Sequence, residues 1–151
     1  MKYNKRFYVI IFIVGVAMVL GFQVSKVCCQ DRKPKMTGIT FTDKTWKEIL
    51  SLARQQHKLI FLDAYADWCA PCKLLKERTF KDPAVGAQFN RQFINASVDV
   101  EKGEGLVLAE QYDITAYPTL LFLDSDGKVI FKSEGFVNAD QLGAFAKSVV
   151  K

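Results

Sequence analysis

The order of apolar and polar residues predicts four strands and five helices between residues 41 and 151. Continuous apolar runs are typical of strands covered on both faces, and apolar residues three and four apart are typical of amphipathic helices. By these patterns the strands are 59–65, 93–100, 120–123 and 128–132, and the helices lie within 42–57, 69–79, 82–89, 103–112 and 138–150. This order predicts an α/β domain with a central mixed β-sheet and helices on both faces.

Local signals add detail to the first helix and to the hairpin. Thr42 or Asp43 is the predicted N-cap of the first helix, and Phe41 is placed to pack against Trp46. His57, at the other end of this helix, is interpreted as a solvated helix-end residue. Residues 124–127 predict a tight turn, so the third and fourth strands are expected to pair in antiparallel fashion.

Residues 1–29 have the character of a targeting segment. Three basic residues precede the apolar stretch 7–24, whose length lies between that of a signal-peptide core and that of a membrane-spanning helix. We expect an uncleaved membrane anchor, and the alternatives are a cleaved signal peptide or lipidation at the Cys28-Cys29 pair. Positive charge before the stretch predicts that the domain lies on the outer side of the cytoplasmic membrane.

The formal net charge of +5 comes mainly from this segment. Four of the 21 basic residues lie in it and no acidic residue does, so the rest of the chain carries 17 basic and 16 acidic residues. A nearly neutral domain lacks the basic face that binds phosphates, and nucleic-acid binding is therefore not expected. Residues 30–40, which are polar and contain proline and glycine, are interpreted as a tether, and residues 41–151 as one compact domain.

Two cysteines, Cys69 and Cys72, lie where the first predicted strand gives way to a helix. This spacing allows a reversible disulfide, and it also occurs in zinc sites and structural bridges. A zinc site needs two further ligands, for which only His57 and the Cys28-Cys29 pair are available, and we judge both badly placed. A structural bridge is disfavoured because the closed loop is too small to restrain the fold.

The residues around the cysteine pair resemble the thioredoxin superfamily. Residues 61–73, with the sequence FLDAYADWCAPCK, and the later Tyr117-Pro118-Thr119 carry this resemblance. The YADWC run and the TFKDP run at 79–83 narrow it to the membrane-linked thioredoxin-like domains of the DsbD type. The resemblance covers roughly residues 42–150, and it implies a thioredoxin-like fold and thiol:disulfide exchange without a cofactor or a bound metal.

The chemistry of the cysteines agrees with the resemblance. The sulfur of Cys69 is expected to face the unpaired N–H groups at the start of the helix, which favour a thiolate, so Cys69 is the predicted, solvent-accessible nucleophile. Cys72, one turn further and less exposed, is the predicted resolving thiol, which completes a Cys69–Cys72 disulfide. Pro71 suits the first helical turn, and the small Ala70 leaves space for a substrate.

Asp63 is the single acid in the first apolar strand. Burial disfavours a charged carboxylate, so Asp63 is predicted to have a raised pKa and to relay a proton to or from Cys72. The resemblance places the superfamily's buried acid here and implies a lysine partner on the next strand, where our alignment puts Asn95. The alternative is a carboxyl that only hydrogen-bonds the backbone. Asp67 is interpreted as an exposed acid at the rim.

Trp68, Tyr117 and Pro118 are the predicted substrate-binding residues. The resemblance implies that the Tyr117–Pro118 bond is cis and that the backbone of Tyr117 pairs with an extended substrate strand. Trp68 matches the aromatic residue that flanks the superfamily's site, and the alternative is that it only covers the rim.

Together these features predict a thiol:disulfide oxidoreductase at the extracytoplasmic (periplasmic) face, acting as a reductase of protein disulfides. Such a domain needs an electron donor, either a transmembrane partner or a periplasmic dithiol. The alternative is a membrane-tethered, non-catalytic binding or chaperone-like module, which would not need the cysteines and prolines that this chain has.

Overall fold

A four-stranded mixed sheet lies at the centre of the computed structural model, which describes residues 37–150. Its strands are β1 (Leu59–Tyr65), β2 (Phe93–Asp99), β3 (Thr119–Leu123) and β4 (Val129–Glu134), in the order β2-β1-β3-β4. β1 runs parallel to β2 and antiparallel to β3, and β3 pairs with β4 in the predicted antiparallel hairpin. The predicted α/β class with a mixed sheet is confirmed.

Five α-helices accompany the sheet within the described residues. They are α1 (Trp46–Gln56), α2 (Ala70–Leu74), α3 (Pro83–Gln92), α4 (Glu104–Gln111) and α5 (Ala139–Val149). α2 continues directly into a π-helical turn, Leu75–Thr79, which closes where the N–H of Phe80 donates to the carbonyl of Leu75 at 3.0 Å. The sequence pattern predicted one helix over this stretch and gave no sign of the wider turn.

Side chains of β1 alternate between two cores, because successive residues of a strand point to opposite faces. Ile60, Leu62 and Ala64 pack with α1 and α4, on what we call the α1 face. Phe61 packs with the π-helical turn, α3 and α5, and its ring lies 4.8 Å from that of Phe89. We call this second side the phenylalanine face, since its buried rings are Phe61, Phe80, Phe89, Phe93 and Phe122.

The N-cap of α1 is Thr45, and the prediction of Thr42 or Asp43 is wrong. The Thr45 side chain accepts a hydrogen bond from the N–H of Glu48, whose carboxylate accepts one from the N–H of Thr45. This reciprocal capping box satisfies two backbone donors that the helix leaves unpaired.

Phe41 and Trp46 lie in different cores, so their predicted contact is also wrong. Phe41 packs on the phenylalanine face, with its ring 5.2 Å from that of Phe80. Trp46 packs edge-on against Tyr112 on the α1 face. The two residues separate because the chain between them follows the edge of β2, where the N–H of Thr42 donates to a β2 carbonyl.

Residues 37–41 run against α3 and the end of the π-helical turn. Two glycines permit this close approach: a β-carbon on Gly38 would overlap the carbonyl oxygen of Phe80, and one on Gly86 would overlap that of Thr37. The described part of the predicted tether is therefore held against the domain.

The predicted anchor or signal segment, with the Cys28-Cys29 pair, lies outside the described residues. Within residues 37–150, none of the helices combines the length and the apolar character needed to cross a bilayer.

Candidate active site

Cys69 and Cys72 form a disulfide at the junction of β1 and α2. Cys69 is the N-cap of α2, and its Sγ accepts a hydrogen bond from the N–H of Cys72 at 3.1 Å. Pro71 lies in the first turn, where its missing N–H costs no hydrogen bond. The predicted strand-to-helix position is confirmed, and it directs a backbone donor at the sulfur of Cys69.

Both cysteines are almost completely buried in this disulfide-bonded form. Their exposed fractions are 2% for Cys69 and 1% for Cys72. The expectation that Cys69 is accessible is wrong for this form, because Tyr65, Ala66 and Tyr117 pack against the pair. The exposed residues around it are Trp68, Ala70 and Pro71.

Trp68 and Tyr117 form an aromatic rim beside the disulfide. Their ring centroids are 5.7 Å apart in an edge-to-face arrangement, and the indole N–H of Trp68 donates to Glu101 at 2.9 Å. Trp68 is 67% exposed, whereas Pro118 is buried. The Tyr117–Pro118 bond is cis, which confirms that expectation. The predicted substrate-binding residues are thus joined to the cysteine pair through Tyr117.

Asp67 belongs to an ion-pair cluster in which Asp67 and Lys102 are exposed and the Asp99 side chain is mostly buried. Nζ of Lys102 contacts the carboxylates of Asp67 and Asp99, the latter at 2.9 Å. Hydrogen bonds to these two carboxylates hold the pKa of Lys102 above its usual range. Asp67 is therefore a rim acid, as interpreted from the sequence, and it links the loop after β1 to the loop after β2.

Asp63 lies in the middle of β1 and is completely buried. Its Oδ2 accepts a hydrogen bond from the Ser97 hydroxyl at 2.7 Å, whereas no group among the described residues donates to its Oδ1. Burial raises the pKa of Asp63 to about 6, against the opposing effects of the Ser97 hydrogen bond and the Lys76 charge. A carboxyl with a pKa near neutrality can both accept and release a proton, so the environment suits the predicted relay.

Ser97, and not Asn95, lies opposite Asp63, which corrects the alignment made from the sequence. In the parallel register of β1 and β2, Asp63 pairs with Ser97 and Phe61 pairs with Asn95. Asn95 and Ser97 point to the same side of β2, because they are two residues apart. Only the register of the two strands distinguishes them, and sequence reasoning missed Ser97 for that reason.

Lys76 is the second neighbour of Asp63 that sequence reasoning missed. Its Nζ lies 4.0 Å from Oδ2 of Asp63 and 2.9 Å from the centroid of the Tyr65 ring. A signal for it exists: Lys76 follows Cys72 by four residues, and residues at that spacing share a helix face. The cation that the resemblance led us to seek on the next strand is thus supplied by the π-helical turn.

His57 lies outside the site. It ends α1 in a left-handed conformation and is exposed, as interpreted from the sequence. In the part of the chain that the structure describes, His, Cys, Asp and Glu side chains form no group of three or more that could hold a metal ion.

The sheet and its helix-capping disulfide define a class of proteins: thiol:disulfide redox proteins that carry a cysteine pair at a strand-to-helix junction. A family model described as a thioredoxin-like domain matches residues 46–149, from the start of α1 to the end of α5. The chain belongs to this family, and at the family level it is a thiol-disulfide redox enzyme.

Individual relatives agree with this assignment. The thiol:disulfide interchange protein DsbD of Haemophilus influenzae is 34% identical over 102 residues, which are 66% of this chain and 18% of that protein. The solution structure of a candidate disulphide-isomerase from Bacteroides thetaiotaomicron is 42% identical with a TM-score of 0.68, covering 76% of this chain and 95% of that one. The oxidised C-terminal domain of Neisseria meningitidis DsbD is 26% identical with a TM-score of 0.60, covering 74% and 99%. The chain therefore spans less than a fifth of the full-length DsbD that it matches.

Proposed function

We propose that this domain reduces protein disulfides outside the cytoplasm, with Cys69 as nucleophile and Cys72 as resolving thiol. The N–H of Cys72, which points at Sγ of Cys69, is the observation that carries the proposal. In the reduced form the same donor stabilises a thiolate on Cys69, and the thiolate is the species that attacks a disulfide.

The reaction proceeds in two exchanges. The Cys69 thiolate attacks one substrate sulfur, forms a mixed disulfide and expels the other substrate sulfur as a thiolate, which takes a proton from water. Cys72 then loses its proton, attacks Cys69 and expels the remaining substrate thiolate. Two electrons pass from the cysteine pair to the substrate, and the Cys69–Cys72 disulfide results.

Asp63 is the proposed acceptor of the Cys72 proton in the second exchange. Its pKa is about 6, and its Oδ1 is buried without a donor from any described residue. Lys76, which contacts Asp63, shares a helix face with Cys72, so this face is turned toward the carboxyl. A buried base with a pKa near the working pH is suited to take a thiol proton.

The aromatic rim is the proposed binding surface for an extended substrate segment. Trp68 and Pro71 are exposed beside the pair, and the small Ala70 between the cysteines is exposed as well. Because both cysteines are covered in the disulfide form, an incoming thiol requires part of the rim to shift. We place this shift at Tyr117, the rim residue that packs against the cysteine pair and contacts Trp68 edge-on.

The proposed location and partners rest on the N-terminal sequence and on the relatives. A basic start followed by an apolar stretch supports export and membrane attachment, and the DsbD relatives are named for thiol:disulfide interchange. A reductase is oxidised at every turnover, so a transmembrane or periplasmic dithiol must supply its electrons.

The reduction potential tests the direction of electron flow. The purified full chain is equilibrated in glutathione and dithiothreitol buffers, and the disulfide fraction is measured by thiol alkylation. We expect a potential near that of thioredoxin, about −270 mV. A value near about −120 mV, typical of a strong oxidant, would show that the domain inserts disulfides instead. A chain that binds unfolded proteins but exchanges no thiols would favour the non-catalytic module.

A further inference from the structure

Asp63 must gain and lose a proton in each cycle of the proposed function, although its side chain is completely buried. Such an acid needs a polar connection to water, because an apolar core does not carry protons. Among the described residues, the polar side-chain atoms near its Oδ2 are the Ser97 hydroxyl at 2.7 Å and Nζ of Lys76 at 4.0 Å.

Ser97 and Lys76 also line a groove that opens to solvent. The groove has a volume of about 380 Å³, and its other walls are residues 37–41, Phe80 and Lys81. Ser97 is half-buried, and the Lys76 side chain is 35% exposed, so each reaches from the interior to the groove. No groove residue belongs to the Trp68–Tyr117 rim.

The charges around Asp63 favour release of its proton once the cysteines have reacted. The ammonium of Lys76 and the hydrogen bond from Ser97 both lower the pKa of Asp63, against the larger effect of burial. The titratable neighbour on the helix is Lys76, and Cys72 precedes it by four residues, a spacing that places both on one helix face. The residues that pair with Asp63 across the sheet, Ser97 and Leu120, do not titrate.

More distant charges act on Lys76. Burial lowers the pKa of Lys76, and the carboxylates of Asp63, Asp67 and Asp99 raise it. Lys76 also lies over the ring of Tyr65, a cation–π contact that holds its ammonium beside the carboxyl.

We propose that Ser97 and Lys76 form a proton route between Asp63 and the water of the groove. The Ser97 hydroxyl passes the proton, and the Lys76 ammonium stabilises the carboxylate that remains. This route rests on the proposed function, since only a site that turns over needs it. It places proton exchange in the groove and substrate exchange at the rim.

The step balances as follows. Cys72 gives its proton to the Asp63 carboxylate, and its thiolate attacks Cys69 of the mixed disulfide. The bond between Cys69 and the substrate breaks, and the substrate sulfur leaves with the electron pair and is protonated by water. The Ser97 hydroxyl, which donates to Oδ2 of Asp63 in the structure, then turns toward the groove. Asp63 gives its proton to Oγ of Ser97, Ser97 releases its own proton to water in the groove, and the carboxylate is restored.

Ser97→Ala tests the hydroxyl, with Ser97→Thr as the matched variant that keeps it. The reduced full chain is mixed with insulin, and stopped-flow quenching separates formation of the mixed disulfide from its resolution. We expect Ser97→Ala to slow steady-state insulin reduction, with dithiothreitol as electron donor, about tenfold, because in the proposed route each turnover waits for Asp63 to release its proton, and to leave the first attack unchanged. The slowing persists at about pH 8, above the titration of Asp63, and Ser97→Thr restores the rate.

Lys76→Met tests the ammonium, with Lys81→Met as its control in the same groove. Removing the charge of Lys76 raises the pKa of Asp63, so the acid limb of the resolution rate moves to higher pH. At about pH 8 the rate returns to that of the parent chain, because Asp63 is then ionised in both. Lys81→Met leaves the pH profile in place, since Lys81 is not among the groups that shift the pKa of Asp63.

The outcomes separate this route from the function on which it rests. If the parent chain reduces insulin while Ser97→Ala turns over at an unchanged rate, or Lys76→Met keeps the parent pH profile, the route is overturned and the proposed function stands. If the parent chain reduces no insulin at any pH, both are overturned. If Ser97→Ala lowers the melting temperature, the pH profiles of Lys76→Met and Lys81→Met decide whether the route stands.

Discussion

The two faces of β1 bury very different side chains. On the α1 face, Ile60, Leu62 and Ala64 are apolar and completely buried. On the phenylalanine face, Phe61 is followed by Asp63, a carboxyl with one oxygen that receives no hydrogen bond from the described residues. One face of the strand thus contributes stability, and the other carries a destabilising acid. A buried acid of this kind is more typical of a functional site than of a structural core.

Replacing the nucleophile should have the largest effect on activity of all these changes, since Sγ of Cys69 is the proposed reacting atom of the site. We expect Cys69→Ser to lower insulin reduction more than about a thousandfold, because a hydroxyl does not replace a thiolate. Its matched variant, Cys72→Ser, keeps the nucleophile and should accumulate the mixed disulfide, seen by mass spectrometry without reductant. Full turnover in Cys69→Ser would remove this residue from its role.

Asp63→Asn should stabilise the protein at neutral pH. The pKa of Asp63 rises from 3.8 to about 6 on folding, so between about pH 4 and 6 the folded state keeps a proton that the unfolded state loses. Stability therefore falls as the pH rises through this window, by about 3 kcal/mol in total. We expect Asp63→Asn to remove this loss in urea unfolding at pH 7, and to slow disulfide reduction.

Leu62→Ala is the matched change on the α1 face, one residue away in the same strand. It should lower the free energy of unfolding by about 2–5 kcal/mol, and leave the exchange rate of the folded protein unchanged. If Asp63→Asn destabilised the protein as Leu62→Ala does, Asp63 would be a structural residue and the contrast between the faces would disappear.

Trp68→Phe should have the smallest effect. The ring keeps its contact with Tyr117 but loses the exposed hydrogen bond to Glu101. We expect KM for a protein disulfide to rise about two- to fivefold with kcat unchanged, the range for one exposed hydrogen bond. A tenfold fall in kcat would instead give Trp68 a part in the chemistry.

The sequence was sufficient for features set by local chemistry. The apolar run of β1, the N-cap position of Cys69 and the tight turn before β4 depend on neighbouring residues, and each was predicted where it occurs. Asp63 could be singled out because an acid inside an apolar strand is conspicuous in any register.

Features that depend on distant parts of the chain were not predictable in the same way. The choice between Asn95 and Ser97 is a matter of strand register, which neighbouring residues do not reveal. The burial of Cys69 depends on Tyr117, which comes from a loop far along the chain. Thr45 is different, because Glu48 three residues later is a capping-box signal that could have identified it.

Gly38 and Gly86 bear on the proposed proton exchange of Asp63, although neither glycine takes part in it. They allow residues 37–41, one wall of the groove, to pack closely, because Gly38 lies against the carbonyl of Phe80 and Gly86 lies against the carbonyl of Thr37. A methyl group on either glycine would lift that wall and widen the channel of water beside Ser97. The turnover rate would then change although every reacting group is intact. Mutagenesis confined to the residues around Cys69 and Cys72 would miss such positions.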